Sequence, residues 1–142
     1  MRKRFYVDTS IWRDFFENRS DGLRPLGEFA FLFFRHCMEN DFEIIVSNTV
    51  IEELEIVLLL QEINKFFYPF KRIIARVNAK PEQISEARKE WIKREKELSF
   101  NDALHAIIAR DNRAMLVTRD RHFFEFLGDI VEIRKPEEII FD

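Results

Sequence analysis

The stretch that decides the fold is RFYVDTSIW, residues 4–12, in which a short β-prone run ends at an acidic residue. Arg4–Val7 has the composition of a strand, Asp8 follows it, and Thr9 or Ser10 is a suitable N-cap for a helix. A similar change from apolar run to polar residues recurs in FEIIVSN, residues 42–48, and in MLVTRD, residues 115–120. Apolar strands that alternate with helical segments are typical of an α/β fold with a largely parallel sheet and right-handed crossovers.

Most of the remaining chain has helical patterning. Helices are expected over residues 9–18, 25–40, 49–66, 81–97 and 102–112, with a helical turn at 121–127 and a last strand at 130–133. Residues 67–79 are harder to assign because Pro69 interrupts the helix; they fit a further helix or, less well, a strand. We therefore expect no firm strand between residues 49 and 112. The 142 residues are predicted to form one domain, residues 1–142.

The composition narrows the class of protein. Hydrophobic residues make up 46% and charged residues 35%, which is typical of a globular, soluble chain. The formal net charge of −3 gives no overall attraction to nucleic acid or to an anionic membrane. The longest apolar run, residues 29–34, is far shorter than the roughly 20 residues that a membrane span needs. The lone Cys37 can form no internal disulfide, so we expect a cytoplasmic protein without a membrane segment.

Four acidic residues stand where this fold could bring them together. Asp8 and Asp120 follow predicted strands, Asp102 opens an apolar helix, and Glu53 lies about one turn into another helix. Each acid alone is more simply explained as a helix cap or a solvated side chain. Jointly they are expected to meet beyond the carboxyl ends of the strands, where a divalent cation would relieve their repulsion. Clustered carboxylates favour Mg²⁺ or Mn²⁺ over zinc.

Four segments, in this order and spacing, carry a resemblance that covers essentially the whole chain. VDTSIW, VSNTVIEELE, SFNDALHAIIA and VTRDRHF resemble the motifs of the PIN-domain ribonucleases, most of all the VapC-type toxins of toxin–antitoxin pairs. The resemblance implies a PIN-like α/β fold, with a parallel central sheet of about four to five strands flanked by helices. Carried over residue by residue, it makes Asp8, Glu53, Asp102 and Asp120 the metal-binding and catalytic acids. Glu52 is the alternative to Glu53, since the two are adjacent.

On this resemblance the expected reaction is endonucleolytic hydrolysis of RNA with Mg²⁺ or Mn²⁺. Short hydroxyls and basic side chains close to the acids are candidates for binding a metal-bound water or a phosphate: Thr9, Ser10, Arg13, Thr118, Arg119 and Arg121. Thr118 also matches the hydroxyl that accompanies the last acid of the family. His105 and His122 lie near the acids, but such histidines more often serve packing, and we expect no catalytic role for them.

Two other functions are compatible with parts of the sequence. The first is a catalytically silent PIN-like module that binds RNA or protein, although all four acids are present. The second is an aspartyl-nucleophile phosphatase, but Ser10 stands where such enzymes carry a second Asp. The chain also has 16 Phe, and its Phe-rich helix at 25–39 together with residues 56–60 predicts an apolar face for a homodimer or an antitoxin.

Overall fold

The computed structural model describes residues 2–95 and 97–141. Five strands lie within these residues: β1 (Arg4–Val7), β2 (Glu43–Ser47), β3 (Ile74–Val77), β4 (Met115–Val117) and β5 (Ile133–Arg134). The α-helices are α1 (Thr9–Phe16), α2 (Leu26–Asn40), α3 (Asn48–Glu55), α4 (Leu60–Phe67), α5 (Pro81–Lys93), α6 (Phe100–Asp111), α7 (Arg121–Phe126) and α8 (Pro136–Ile140). A short 3₁₀ turn, Tyr68–Phe70, follows α4.

The strands form one parallel sheet in the order β3-β2-β1-β4-β5. This confirms the predicted α/β class and the number of strands. The chain runs outward from β1 to β3 and then crosses to the other side of β1, so β1 and β4 are neighbours at the point where the strand order reverses. Val7 is paired with Val117, and the chain therefore leaves β1 and β4 side by side at the carboxyl edge. In open α/β sheets this is the place where ligands bind.

Two sequence predictions about this fold are wrong, and a segment left open between helix and strand is assigned. The single helix expected at 49–66 is two helices, because residues 56–59 do not continue α3 and four of the five residues 56–60 expose their side chains. Residues 74–77 form strand β3, which pairs only with β2 at the edge of the sheet and buries its side chains only partly. The last strand lies at Ile133–Arg134 instead of 130–133, since Ile130 belongs to the turn that follows α7.

Aromatic side chains fill much of the core beside the sheet. Trp12 stacks on Phe34 with ring centroids 4.4 Å apart and contacts Phe67 at 4.5 Å. Phe16 and Phe66 stack at 4.5 Å. Most of the Phe-rich helix α2 is thus accounted for by packing, with Ala30, Phe33, Phe34 and Cys37 buried. Burial of such rings is the main stabilising term for a core of this size.

The exposed apolar side chains concentrate between α3 and α4. Ile56, Val57, Leu59 and Leu60 are all exposed, Ile56 by 82%. The apolar face predicted from the sequence is therefore carried by this connection rather than by the buried face of α2. Among the described residues, no helix combines the length and hydropathy that crossing a bilayer requires.

Candidate active site

Asp8 follows β1, and two hydroxyl groups hold its carboxylate. Ser10 Oγ donates to Asp8 Oδ2 at 2.7 Å, and Thr118 Oγ1 donates to the same oxygen at 2.9 Å. The residue is only 6% exposed and occupies the N-cap position of α1, yet its side chain caps no backbone N–H. Within the described chain, Oδ1 receives no hydrogen bond. One carboxylate oxygen is thus fixed by the protein, and the other is free to bind a ligand.

Glu53 reaches the same place from α3. Thr9 Oγ1 donates to Glu53 Oε1 at 2.5 Å, and Asn101 Nδ2 donates to Oε2 at 3.3 Å. Burial opposes the ionisation of Glu53, but hydrogen bonds from His105, Thr9 and Asn101 outweigh it and hold the pKa of Glu53 below its ordinary value. The neighbouring Glu52 is exposed and accepts a hydrogen bond only from the Asn48 side chain. The fold therefore brings Glu53, and not Glu52, to the carboxylate of Asp8.

Glu53 is hydrogen-bonded to a buried network of side chains. His105 Nε2 lies 2.8 Å from Glu53 Oε1, and the other ring nitrogen, Nδ1, lies 2.5 Å from the Tyr6 hydroxyl. The Tyr6 hydroxyl is in turn 2.6 Å from Ser47 Oγ. Burial opposes the charged imidazole, but the bond to Glu53 and the nearby acids raise the pKa of His105 above its ordinary value. His105 thereby orients Glu53, because both of its nitrogens have fixed partners.

The sequence analysis did not predict this network of hydrogen bonds. It treated His105 as packing, assigned nothing to Tyr6, and assigned to Ser47 only the role of a candidate helix cap, which Ser47 also fills. The available signal was a histidine one turn after Asp102 on an otherwise apolar helix. The position of this histidine does not identify its hydrogen-bond partners, because Tyr6 is 99 residues and Glu53 is 52 residues away along the chain.

Asp102 lies in the first turn of α6, whose N-cap is Ser99. Ser99 Oγ accepts a hydrogen bond from the Asp102 N–H at 3.1 Å, which caps the helix. Burial, followed by the charges of Asp8 and Asp120, raises the pKa of Asp102 to about 6 from an ordinary value of 3.8. The charges of Asp8 and Asp120 therefore reach Asp102, as expected if the three acids lie at the same edge of the sheet.

Asp120 follows β4 and caps α7. Its Oδ1 accepts from the His122 N–H at 2.9 Å, and its own N–H donates to Thr118 Oγ1 at 3.1 Å. The His122 ring also lies beside this carboxylate, with Nδ1 at 3.2 Å from Oδ1. Asp120 therefore combines a structural capping role with a position close enough to perturb Asp102.

The tightest group of potential metal ligands consists of Asp8, Glu53 and His105. Each offers one ligand atom, and these atoms lie within 4.8 Å of one another. Asp102 and Asp120 are not members of this group, but the charge of Asp102 acts on His105, and the charge of Asp120 acts on Asp102. Since both nitrogens of His105 are hydrogen-bonded, the available donors are carboxylate oxygens. Oxygen donors of this kind fit a hard divalent cation such as Mg²⁺ or Mn²⁺.

The three arginines predicted to bind phosphate differ in whether acidic side chains already occupy them. Arg119 donates to Asp14 at 3.2 Å and to Glu137 at 2.7 Å, and its side chain is 13% exposed. Arg13 is paired with Glu17, one turn along α1. Arg121 is paired with Glu125 at 3.1 Å but remains 80% exposed. Of these three, Arg121 is the one that projects into solvent beside the acids.

Comparison with known proteins identifies the family and the fold. A family model described as PIN domain matches residues 5–126. No curated protein matches the sequence. Among solved structures, a chain of VapBC2 from Rickettsia felis, crystallised with a promoter DNA fragment, is similar with a TM-score of 0.66 and 18% identity over 93% of this chain and 98% of that one.

Two further structures are similar over nearly their full length. VapC20 from Mycobacterium tuberculosis, described as a sarcin-ricin loop cleaving toxin, has a TM-score of 0.63 and 19% identity over 92% of this chain and 98% of its own. A chain of a toxin–antitoxin complex from Klebsiella pneumoniae has a TM-score of 0.56 and 20% identity over 93% and 97%. At these identities the likeness concerns the fold, whereas the family model covers most of the sequence. The chain belongs to the PIN domain family.

Proposed function

We propose that this protein is a metal-dependent endoribonuclease that hydrolyses RNA phosphodiester bonds. The observation that carries the proposal is the approach of Asp8 and Glu53 at the carboxyl edge of the sheet, next to an Asp102 whose pKa is raised by burial and by the charges of Asp8 and Asp120. A bound cation would offset the repulsion that Asp102 experiences from Asp8 and Asp120. Membership of the PIN domain family supports the same reading of the site.

Asp8, Glu53, Asp102 and Asp120 are the residues that would hold one or two Mg²⁺ or Mn²⁺ ions. A bound ion of this kind lowers the pKa of a water molecule and offsets the charge that develops on a phosphodiester during hydrolysis. Ser10 and Thr118 keep one oxygen of Asp8 turned inward, which leaves the other for the ion.

RNA is proposed as the substrate because VapC20, a solved structure with the same fold, is described as cleaving the sarcin-ricin loop. The exposed Arg121 next to Asp120 is the first candidate for a phosphate contact. Thr9 and Ser10 line the same edge with hydroxyls, whereas Arg13 and Arg119 would have to exchange carboxylate partners for phosphate.

A protein partner is part of the proposal. The similar Klebsiella pneumoniae structure is a toxin–antitoxin complex. Here Ile56, Val57, Leu59 and Leu60 expose an apolar surface of the kind that marks protein contacts. We infer that an antitoxin covers this surface in a toxin–antitoxin pair, and that a second copy of the chain is the alternative occupant. Light scattering of the protein alone and after co-expression with the adjacent gene's product separates the two.

The test of the catalytic proposal compares two adjacent acids on one helix. Glu53→Gln is expected to abolish RNA cleavage in Mg²⁺ or Mn²⁺, because it removes a charged ligand at the site. Glu52→Gln serves as the control, since Glu52 is exposed and bonded only to Asn48. Cleavage by the wild type must also stop with EDTA. Equal activity of both variants, or cleavage that persists in EDTA, contradicts the proposal and favours a silent binding module.

A further inference from the structure

An open cleft of about 430 Å³ lies at the carboxyl edge of the sheet, next to the segment that carries Asp120. Its lining is formed by Arg119, Arg121, Phe124, Lys135 and Glu138. β4 and β5 are paired, and the Thr118 N–H donates to the Arg134 carbonyl oxygen at 3.1 Å. Lys135 therefore emerges at the carboxyl edge of the sheet next to the segment that carries Asp120.

Two of the cations in this cleft, Lys135 and Arg121, lack a buried ion pair that would hold them away from an anion. Lys135 forms no ion pair with any residue that the structure describes, and its Nζ lies 6.0 Å from the centre of the Phe124 ring. Arg121 is 80% exposed, and its surface pair with Glu125 is of the weak, solvent-screened kind. Arg119 is neutralised by Asp14 and Glu137.

The cleft also offers a face for stacking. Phe124 is 37% exposed although it lies on a helix otherwise anchored by the buried Phe123. The acid in the lining, Glu138, already accepts the Lys135 backbone N–H at 2.8 Å as part of the α8 cap. A part-exposed aromatic ring beside an unpaired ammonium is the combination by which proteins bind unpaired nucleotides, the base on the ring and the phosphate on the cation.

We propose that this cleft is a nucleotide subsite, which binds one unpaired nucleotide of the RNA strand adjacent to the bond that is cut. The base stacks on Phe124, and the phosphate contacts Lys135 and Arg121. This rests on the proposed function for the identity of the substrate. It makes the preferred substrate a single-stranded or looped RNA, because a base inside a duplex cannot reach the ring.

The chain provides a matched control at the other side of the sheet. Lys71 Nζ lies 4.4 Å from the ring centre of Tyr68, which is 65% exposed. These residues precede β3, the opposite edge strand, and so lie towards the amino end of the sheet. The pair has the same chemistry as Lys135 and Phe124 but is remote from the acids.

The experiment measures binding of a short fluorescent single-stranded RNA by anisotropy in EDTA, where a metal-dependent enzyme does not cut. Lys135→Glu and Phe124→Ala are each expected to raise the Kd about tenfold, and Lys135→Glu to lower the salt dependence by about one phosphate contact. Lys71→Glu and Tyr68→Ala are expected to change the Kd less than about twofold. With duplex RNA of the same sequence, Phe124→Ala should have no effect. Thermal melting verifies that each variant is folded.

Three results would overturn the subsite: equal losses from Lys135→Glu and Lys71→Glu, no loss from Phe124→Ala, or no measurable binding of single-stranded RNA by the wild type. The outcome is separable from that of the proposed function. A protein that never cuts RNA but loses binding with Lys135→Glu has the subsite without the nuclease. A protein that cuts RNA while Lys135→Glu binds normally is a nuclease without this subsite.

Discussion

The two halves of the acidic site differ in how the fold accommodates their charge. Asp8 and Glu53 receive hydrogen bonds from hydroxyl, amide and imidazole groups, and the pKa of Glu53 is held below its ordinary value. The pKa of Asp102 shifts in the opposite direction, because burial and the charges of Asp8 and Asp120 raise it to about 6. The protein therefore builds one half of the site from its own donors. On the proposed function, a bound cation would stabilise the other half.

The largest effect is expected from breaking the built half at Asp8. Asp8→Asn keeps an oxygen that can accept the Ser10 and Thr118 hydroxyls, but it removes the charge. RNA cleavage in Mn²⁺ should fall at least about 1000-fold, or ~4 kcal/mol of transition-state stabilisation. The melting temperature of the metal-free protein should stay the same or rise, because one repelling charge is gone.

Asp14→Asn is the matched control for this prediction. Asp14 is a second buried acid on the same helix, but it pairs with Arg119 and Arg19 and lies outside the cluster. This variant should keep its activity per folded molecule, because Asp14 is not one of the clustered acids. An Asp8→Asn variant as active as the wild type would refute the metal site.

A smaller effect, on metal affinity, is expected from removing the hydrogen bond between His105 and Glu53. His105→Leu removes the hydrogen bond that orients Glu53 and the contact with Tyr6, while Thr9 and Asn101 still hold the carboxylate. Loss of such an orienting partner typically lowers metal affinity about 10–100-fold. Isothermal titration with Mn²⁺ measures this directly.

Ile107→Val provides the comparison for His105→Leu. Ile107 is buried on the same helix, and shortening it costs roughly 1 kcal/mol of stability. Because Ile107 makes no hydrogen bond to Glu53, its variant should bind Mn²⁺ like the wild type. If His105→Leu also bound Mn²⁺ like the wild type, His105 would have only a packing role.

The smallest effect is expected from neutralising the repelling half at Asp102. Between the ordinary pKa of 3.8 and the folded value of about 6, the native state holds a proton that the unfolded state has released. Stability from this group therefore falls as pH rises through that window and stays low above it. Asp102→Asn removes the loss, so at about pH 8 the metal-free variant should be more stable by ~1–2 kcal/mol, a value reduced for the partial exposure of the side chain.

Denaturation of the metal-free protein at two pH values checks the sign of this effect. At about pH 4 the wild type and Asp102→Asn should be nearly equal in stability, because Asp102 is then protonated in the folded wild type. Asp129→Asn should show no such gain, since Arg94 holds the pKa of Asp129 below its ordinary value. A destabilising effect of Asp102→Asn at about pH 8 would show that the acids do not repel one another.

Much of the fold was predictable because three central strands are short apolar runs with clear ends. β1, β2 and β4 are buried within the sheet, and their apolar residues have no alternative placement. β3 escaped prediction because an edge strand buries little: Arg76 is exposed, and β3 is identified mainly by its pairing with β2. Residues 56–60 were wrongly predicted to be helical because their unbroken apolar run continues the helical pattern of α3. In the structure this run is largely an exposed connection between α3 and α4.

The site was predictable to the extent that the ends of parallel strands share one edge. That rule places Asp8 beside Thr118, and it accounts for the effect of Asp120 on Asp102. The orientation of each side chain was not predictable, since it depends on partners far apart in sequence. His105 is the main example, because its role follows only from contacts with Glu53 and Tyr6.

Whether these acids form a cation site is tested by a Mn²⁺ titration of the wild type at about pH 8 and about pH 5, with Asp8→Asn as reference. We expect saturable binding at about pH 8, much weaker binding at about pH 5, where Asp102 holds a proton, and no saturable binding by Asp8→Asn. Binding that is absent at about pH 8, or equal in the wild type and Asp8→Asn, would contradict a cation site built on these acids.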